Sequence, residues 1–169
     1  MMKSALTPTM FRSLALAAGL AVAATSTFAA ATTEVGEVST AFKLIGPNHK
    51  VIVEAFDDPK VQGVTCYVSR AKTGGISGAI GLAEDKSESS IACRQVSDVI
   101  TFNDKLPVQE EVFNERASIL FKKLRVVRMV DKTRNTLIYL TYTEKLIDGS
   151  PKNSVTAVPV PRATAIPLK

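Results

Sequence analysis

The stretch Asp131-Lys132-Thr133-Arg134-Asn135-Thr136-Leu137-Ile138-Tyr139-Leu140-Thr141-Tyr142-Thr143 decides the fold class. Its first five residues are polar and suited to a turn. The next eight are rich in β-branched and aromatic side chains, which fit a pleated, half-buried strand. The pair reads as a hairpin turn and its return limb, with Leu124–Asp131 as the outgoing limb. Just upstream, Val112–Phe121 is apolar on both faces, so period alone leaves two readings: one long bent strand with Leu124–Asp131, or a helical turn ahead of it. Downstream, Asp148-Gly149-Ser150-Pro151-Lys152-Asn153 is a polar loop, and Ser154–Val160 reads as a last strand.

The same grammar runs through the first half. Ser39–Ile45 reads as a strand stopped by Gly46-Pro47-Asn48, and Val51–Phe56 as a second, closed by the turn Asp57-Asp58-Pro59. Val64–Arg70 and Ser90–Val96 are the third and fourth. Between them, Ala71–Ser89 is glycine-rich and then charged. Ser77 is placed to cap a short helix running to about Lys86, at a cost of about 1 kcal/mol for each interior glycine. The expected fold is mainly β: an antiparallel β-sandwich or partly open barrel with one or two short helices.

The N-terminus sets the compartment. Lys3 and Arg12 precede an uncharged run, Leu14–Ala24, and small residues at Thr27, Ala29 and Ala31 suit a cleavage site. This is the layout of a signal peptide spanning residues 1–31, cut after Ala29 or Ala31. The run of about 11 residues is short of the roughly 20 that a spanning helix needs. No later stretch is long and apolar enough to cross as a helix, so no transmembrane segment is expected in the mature chain. The expected organisation is a single β domain over 32–161 and a flexible C-terminal tail over 162–169. The net charge of +5 falls to about +3 once Lys3 and Arg12 are removed, too mild an excess to imply a nucleic-acid partner.

Cys66 and Cys93 sit in strand-like runs, VTCYVSR and SIACRQV, each on the face of its apolar neighbours. In an exported chain an even cysteine count points to a structural disulfide. The rival reading, a redox-active or metal-binding pair, finds no CxxC spacing and no second histidine to complete a zinc shell.

The chemistry-bearing residues form no constellation that assigns a catalytic, cofactor or metal site. His49 lies in a polar turn. Asp57-Asp58, Glu84-Asp85 and Glu110-Glu111 are adjacent carboxylates, which a strand would point to opposite faces. The glycine segment matches neither nucleotide-binding template. Lys72, Gly74 and Gly75 in one loop, and Ser150, Lys152 and Asn153 in another, are the candidates for a binding loop. Lys122, Lys123, Arg125, Arg128, Lys132 and Arg134 form the densest basic stretch, a candidate patch for an anionic partner if one face holds enough of them.

Several longer blocks carry a family resemblance. They are Phe42-Lys43-Leu44-Ile45-Gly46-Pro47 with His49-Lys50, Val53–Pro59, Val64–Gly75, Gly81–Asp85, Val126-Val127-Arg128, Arg134-Asn135 and Gly149–Asn153. Together, from about Val35 to Pro159, the chain resembles the CreA family of periplasmic proteins. The resemblance implies export to the periplasm and a paired Cys66 and Cys93, and it carries over no catalytic residue and no cofactor. The function expected is a non-enzymatic binding or envelope-associated accessory module, partnered by an envelope component or periplasmic protein. The alternative is a periplasmic hydrolase working from loop residues near Gly74 or Ser150.

Overall fold

The computed structural model describes residues 31–41, 48–72, 89–116, 123–144 and 151–169. In chain order its strands are β1 (Thr32–Ala41), β2 (His49–Asp57), β3 (Val61–Gln62), β4 (Val64–Lys72), β5 (Ser89–Gln95), β6 (Thr101–Phe102), β7 (Gln109–Arg116), β8 (Lys123–Asp131), β9 (Thr136–Thr143) and β10 (Asn153–Pro159). They build two four-stranded sheets, ordered β1-β2-β4-β5 and β10-β9-β8-β7, and a short β3-β6 ribbon. All of these strand pairings are antiparallel. The sheets face each other as an open sandwich. On one flank β5 lies beside β10, where the Cys93 N–H donates to Thr156 Oγ1 at 3.4 Å.

The mainly β, sandwich-like expectation holds. The hairpin Leu124–Thr143 is β8 and β9, with β9 alternating half-buried and buried along its length. Leu137, Tyr139, Thr141 and Thr143 face the core. Upstream, Gln109–Arg116 is strand. The ladder shifts register between Glu111 and Phe113, so the consecutive Val112 and Phe113 are both buried. That bulge is why the apolar residues broke the period. Phe113 stacks on Phe56 of the other sheet, centroids 4.6 Å apart.

Other expectations are corrected. The first strand begins at Thr32 and ends at Ala41, not over Ser39–Ile45; residues 42–47 lie outside the described residues. Every residue of β1 is exposed, so no buried face marks it in the sequence. No helix occurs among the described residues, and the helix expected over Ser77–Lys86 lies outside them. So does the signal peptide expected over 1–31, apart from Ala31. The segment expected as a loose tail is docked. Leu168 bridges Leu106, whose N–H donates to the Pro167 carbonyl at 2.8 Å. Ile166 and Leu168 pack on the core. Asn135, at φ 50°, donates from Nδ2 to the carbonyls of Val160 (3.1 Å), Pro161 (3.2 Å) and Thr164 (3.0 Å).

Cys66 and Cys93 stand opposite each other in the β4–β5 ladder and are disulfide-bonded, both fully buried. The bond closes a 27-residue separation, worth about 3.5 kcal/mol in the chain-entropy account. Replacing both cysteines by serine is expected to lower the melting temperature by about 10 °C, read by calorimetry; an unchanged melt would show that the bond constrains nothing. Gly63, at φ +82°, turns the chain into β4, and a Cβ there would meet the Val99 carbonyl oxygen at 2.6 Å. Gly63→Ala is expected to destabilise by about 1–3 kcal/mol in urea titration.

Candidate functional site

The strand order brings together positions that are distant in sequence. Within the sheets, Ala41 pairs with His49, Lys50 with Lys72, and Arg70 with Ser89. Arg116 pairs with Lys123, and Leu124 with Thr143. Arg70 of β4 then reaches Glu115 of β7, which aligns these strand ends across the two sheets. The chain therefore leaves and re-enters the sheets at one common end in the β1–β2, β4–β5, β7–β8 and β9–β10 connections.

The binding-loop candidates flank those departures. Lys72 closes β4, exposed, its Nζ 4.0 Å from Glu54. Lys152 is exposed just before β10 and its carbonyl accepts the Thr143 N–H at 3.3 Å. Asn153 opens β10 and donates from Nδ2 to the Pro151 carbonyl at 3.2 Å. Gly74, Gly75 and Ser150 lie outside the described residues. His49, Lys50 and Lys123 share this end.

Beneath it sits a cross-sheet clamp. Arg70 donates from Nε (2.9 Å) and Nη2 (2.7 Å) to Glu54 Oε2, and from Nη2 to both oxygens of Glu115 at 2.6 and 2.7 Å. Burial alone would pull the guanidinium pKa down; the two carboxylates outweigh it and hold the charge.

The basic stretch does not form one patch. Arg125 points outward from β8 and pairs with Glu111 (2.5 Å) and Glu144 (2.7 Å). Arg128 points inward and is fully buried. Lys132 and Arg134 lie in the β8–β9 turn at the opposite end, where Arg134 binds Asp131 at 2.8 Å. Lys122 lies outside the described residues.

At that opposite end the structure holds a network that sequence reasoning missed. Asp58, expected in a surface turn, is buried with Arg128 and Tyr139. Arg128 Nη1 donates to Asp58 Oδ1 and Oδ2 at 2.5 and 2.7 Å, and Nη2 to Glu110 at 2.5 Å. Tyr139 Oη donates to Asp58 Oδ2 at 2.9 Å. The N–H groups of Lys60 and Val61 donate to Oδ1 at 2.9 and 3.0 Å. Glu110 also pairs with Lys60, at the rim. Both Asp58 oxygens are thus occupied, an arrangement suited to holding structure rather than to moving protons. One signal was available. Leu124, Val126, Arg128 and Val130 alternate on one face, so Arg128 occupies an apolar position.

Neither thiol is available for redox or metal chemistry, because both are in the buried disulfide. Among the described residues, no group of three or more His, Cys, Asp or Glu is placed to hold a metal ion.

Two outcomes follow from the network. Arg128→Ala leaves Asp58 buried without its cation and is expected to cost about 3–5 kcal/mol by denaturant titration. Burial, with the Asp58 charge adding to it, pushes the Tyr139 hydroxyl far above its ordinary value near 10.0. Tyr139 therefore keeps its proton in the folded chain while the unfolded chain loses it. Its contribution is intact below pH 10 and declines above it by about 1.4 kcal/mol per pH unit. Tyr139→Phe should flatten that part of the alkaline stability curve; a curve of unchanged slope would contradict the assignment.

A family model described as CreA protein matches residues 35–163. The chain is 56% identical over 131 residues to Protein CreA of Escherichia coli strain K12, covering 75% of this chain and 83% of the relative. The same figures hold for Protein CreA of Escherichia coli O6:H1 and O157:H7. No solved structure matches the chain.

Proposed function

The chain belongs to the CreA family, and from that premise we propose that it is an exported, non-enzymatic accessory module of the bacterial envelope that binds its partner through the loop-bearing end of the sandwich. The observation that carries this reading is the common end itself. Lys72, Lys123 and Lys152, all exposed, belong to three different strand pairs and stand at the end where the chain leaves the sheets. Cations gathered at one end favour an anionic surface on the partner and make association sensitive to salt.

Export and action in the periplasm rest on the charged, apolar and small-residue order of the first 31 residues and on the disulfide, which persists in an oxidising compartment. The organisation proposed is a signal peptide over residues 1–31 followed by one domain.

Two measurements test the reading. The intact mass of the protein recovered from cells is expected to correspond to a chain starting at Ala30 or Thr32. A photo-crosslinking residue introduced at Lys72 or at Lys152 is expected to trap the same partner in living cells, with trapping weakened by salt in envelope extracts. The same probe at Lys132, on the far end, should trap none. Equal trapping at all three positions, or trapping at Lys132 alone, would remove the loop-bearing end as the binding surface.

A further inference from the structure

β1 is an edge strand whose place in the fold is not explained by packing. Among the described residues it pairs with β2 along one side only and ends the β1-β2-β4-β5 sheet. All ten of its residues are exposed, so it buries no side chain on either face. What holds it is the backbone ladder and the ion pair from Lys50 to Glu37. A strand that adds nothing to the core still offers a row of N–H and C=O groups along its free side.

The usual devices that blunt such an edge are partly missing. β1 has no lysine, arginine or proline. It does carry two register shifts, between Glu34 and Gly36 and between Ser39 and Ala41, which leave residues 36–39 as an unbroken stretch.

Its side chains state what would pair there. Glu34 lies opposite Glu54 and Glu37 opposite Ile52, so both carboxylates project on one face. Val38, opposite Val51, projects on the other. Val35, at the first register shift, and Val38 are 59% and 67% exposed. Two β1 strands side by side would set four carboxylates against two Lys50 ammonium groups, which disfavours a second copy. We infer that β1 is a docking edge for an extended segment of another protein in which lysine or arginine alternates with β-branched residues. Such a segment adds a strand to the sheet, its cations meeting Glu34 and Glu37 and its aliphatic side chains covering Val38. This surface is separate from the loop-bearing end, and its test reads different residues.

The probe is a blocked peptide of alternating lysine and valine, titrated into the purified protein with amide hydrogen exchange as the readout. Saturable slowing of exchange within residues 32–41 is expected. Glu34→Lys combined with Glu37→Lys, confirmed folded by its melt, is expected to weaken binding about tenfold. The same variant should bind a glutamate–valine peptide more tightly than the parent does. The inference is overturned by protection outside β1, by equal affinity of the parent for the two peptides, or by sedimentation showing that the peptide-free protein dimerises through β1.

Discussion

Arg128 reaching across the sandwich to Asp58 fixes how the two sheets sit on each other. Among the described residues the two sheets share no backbone ladder. The apolar core between them, from Phe56 and Val68 on one side to Val126 and Leu137 on the other, attracts without direction. A guanidinium on β8 bound to a carboxylate just after β2 has direction. Tyr139 and two backbone N–H groups complete the acid's partners, so the pair can be buried without a stranded charge. The Phe56–Phe113 stack, from β2 to β7, and the Arg70–Glu115 pair, from β4 to β7, repeat the cross-sheet join on neighbouring strands.

That orientation gives the two ends of the sandwich different characters. The strand ends that flank the β1–β2, β4–β5, β7–β8 and β9–β10 connections all lie at one end. The passages from β2 to β4 and from β8 to β9 turn at the other, where the Arg128 network lies. Antiparallel strands alternate direction, so residues far apart in the chain reach the same end of the sandwich, as Lys72, Lys123 and Lys152 do. The disulfide joins β4 to β5 towards the other end of their ladder, two pairs from Val64 and Gln95, on the side of the Arg128 network. The packed part of the molecule carries the loop-bearing end, while β1 lies at the sheet edge and is exposed along its whole length.

The fold class was legible because strand alternation is local. TLIYLTYT in β9 shows its buried and half-buried faces directly. The cysteine pairing was also within reach, since two cysteines in two strand-like runs have one partner each. Lys72, Lys152 and Asn153 were picked out by loop composition alone, and what that composition lacked was any reason for their loops to share an end. Val112 and Phe113 defeated the pattern because a bulge sends neighbouring side chains the same way. β1 defeated it because a strand exposed on both faces has no hydrophobic period. The last residues read as a loose tail because their anchor, Asn135, lies 31 positions before Ile166, whose N–H donates to Asn135 Oδ1 at 3.4 Å.

By itself the sequence determined the runs that alternate, from Val51–Phe56 to Thr136–Thr143, the β8–β9 turn and the thiols that pair, since each follows from the conformational preferences of neighbouring residues. Tertiary structure alone decided that Asp58 is buried rather than exposed, that Arg128 faces inward, and that the strand ends flanking four connections lie at one end. A side chain's burial depends on what arrives from elsewhere in the chain, and short-range pattern carries no information about the arrival.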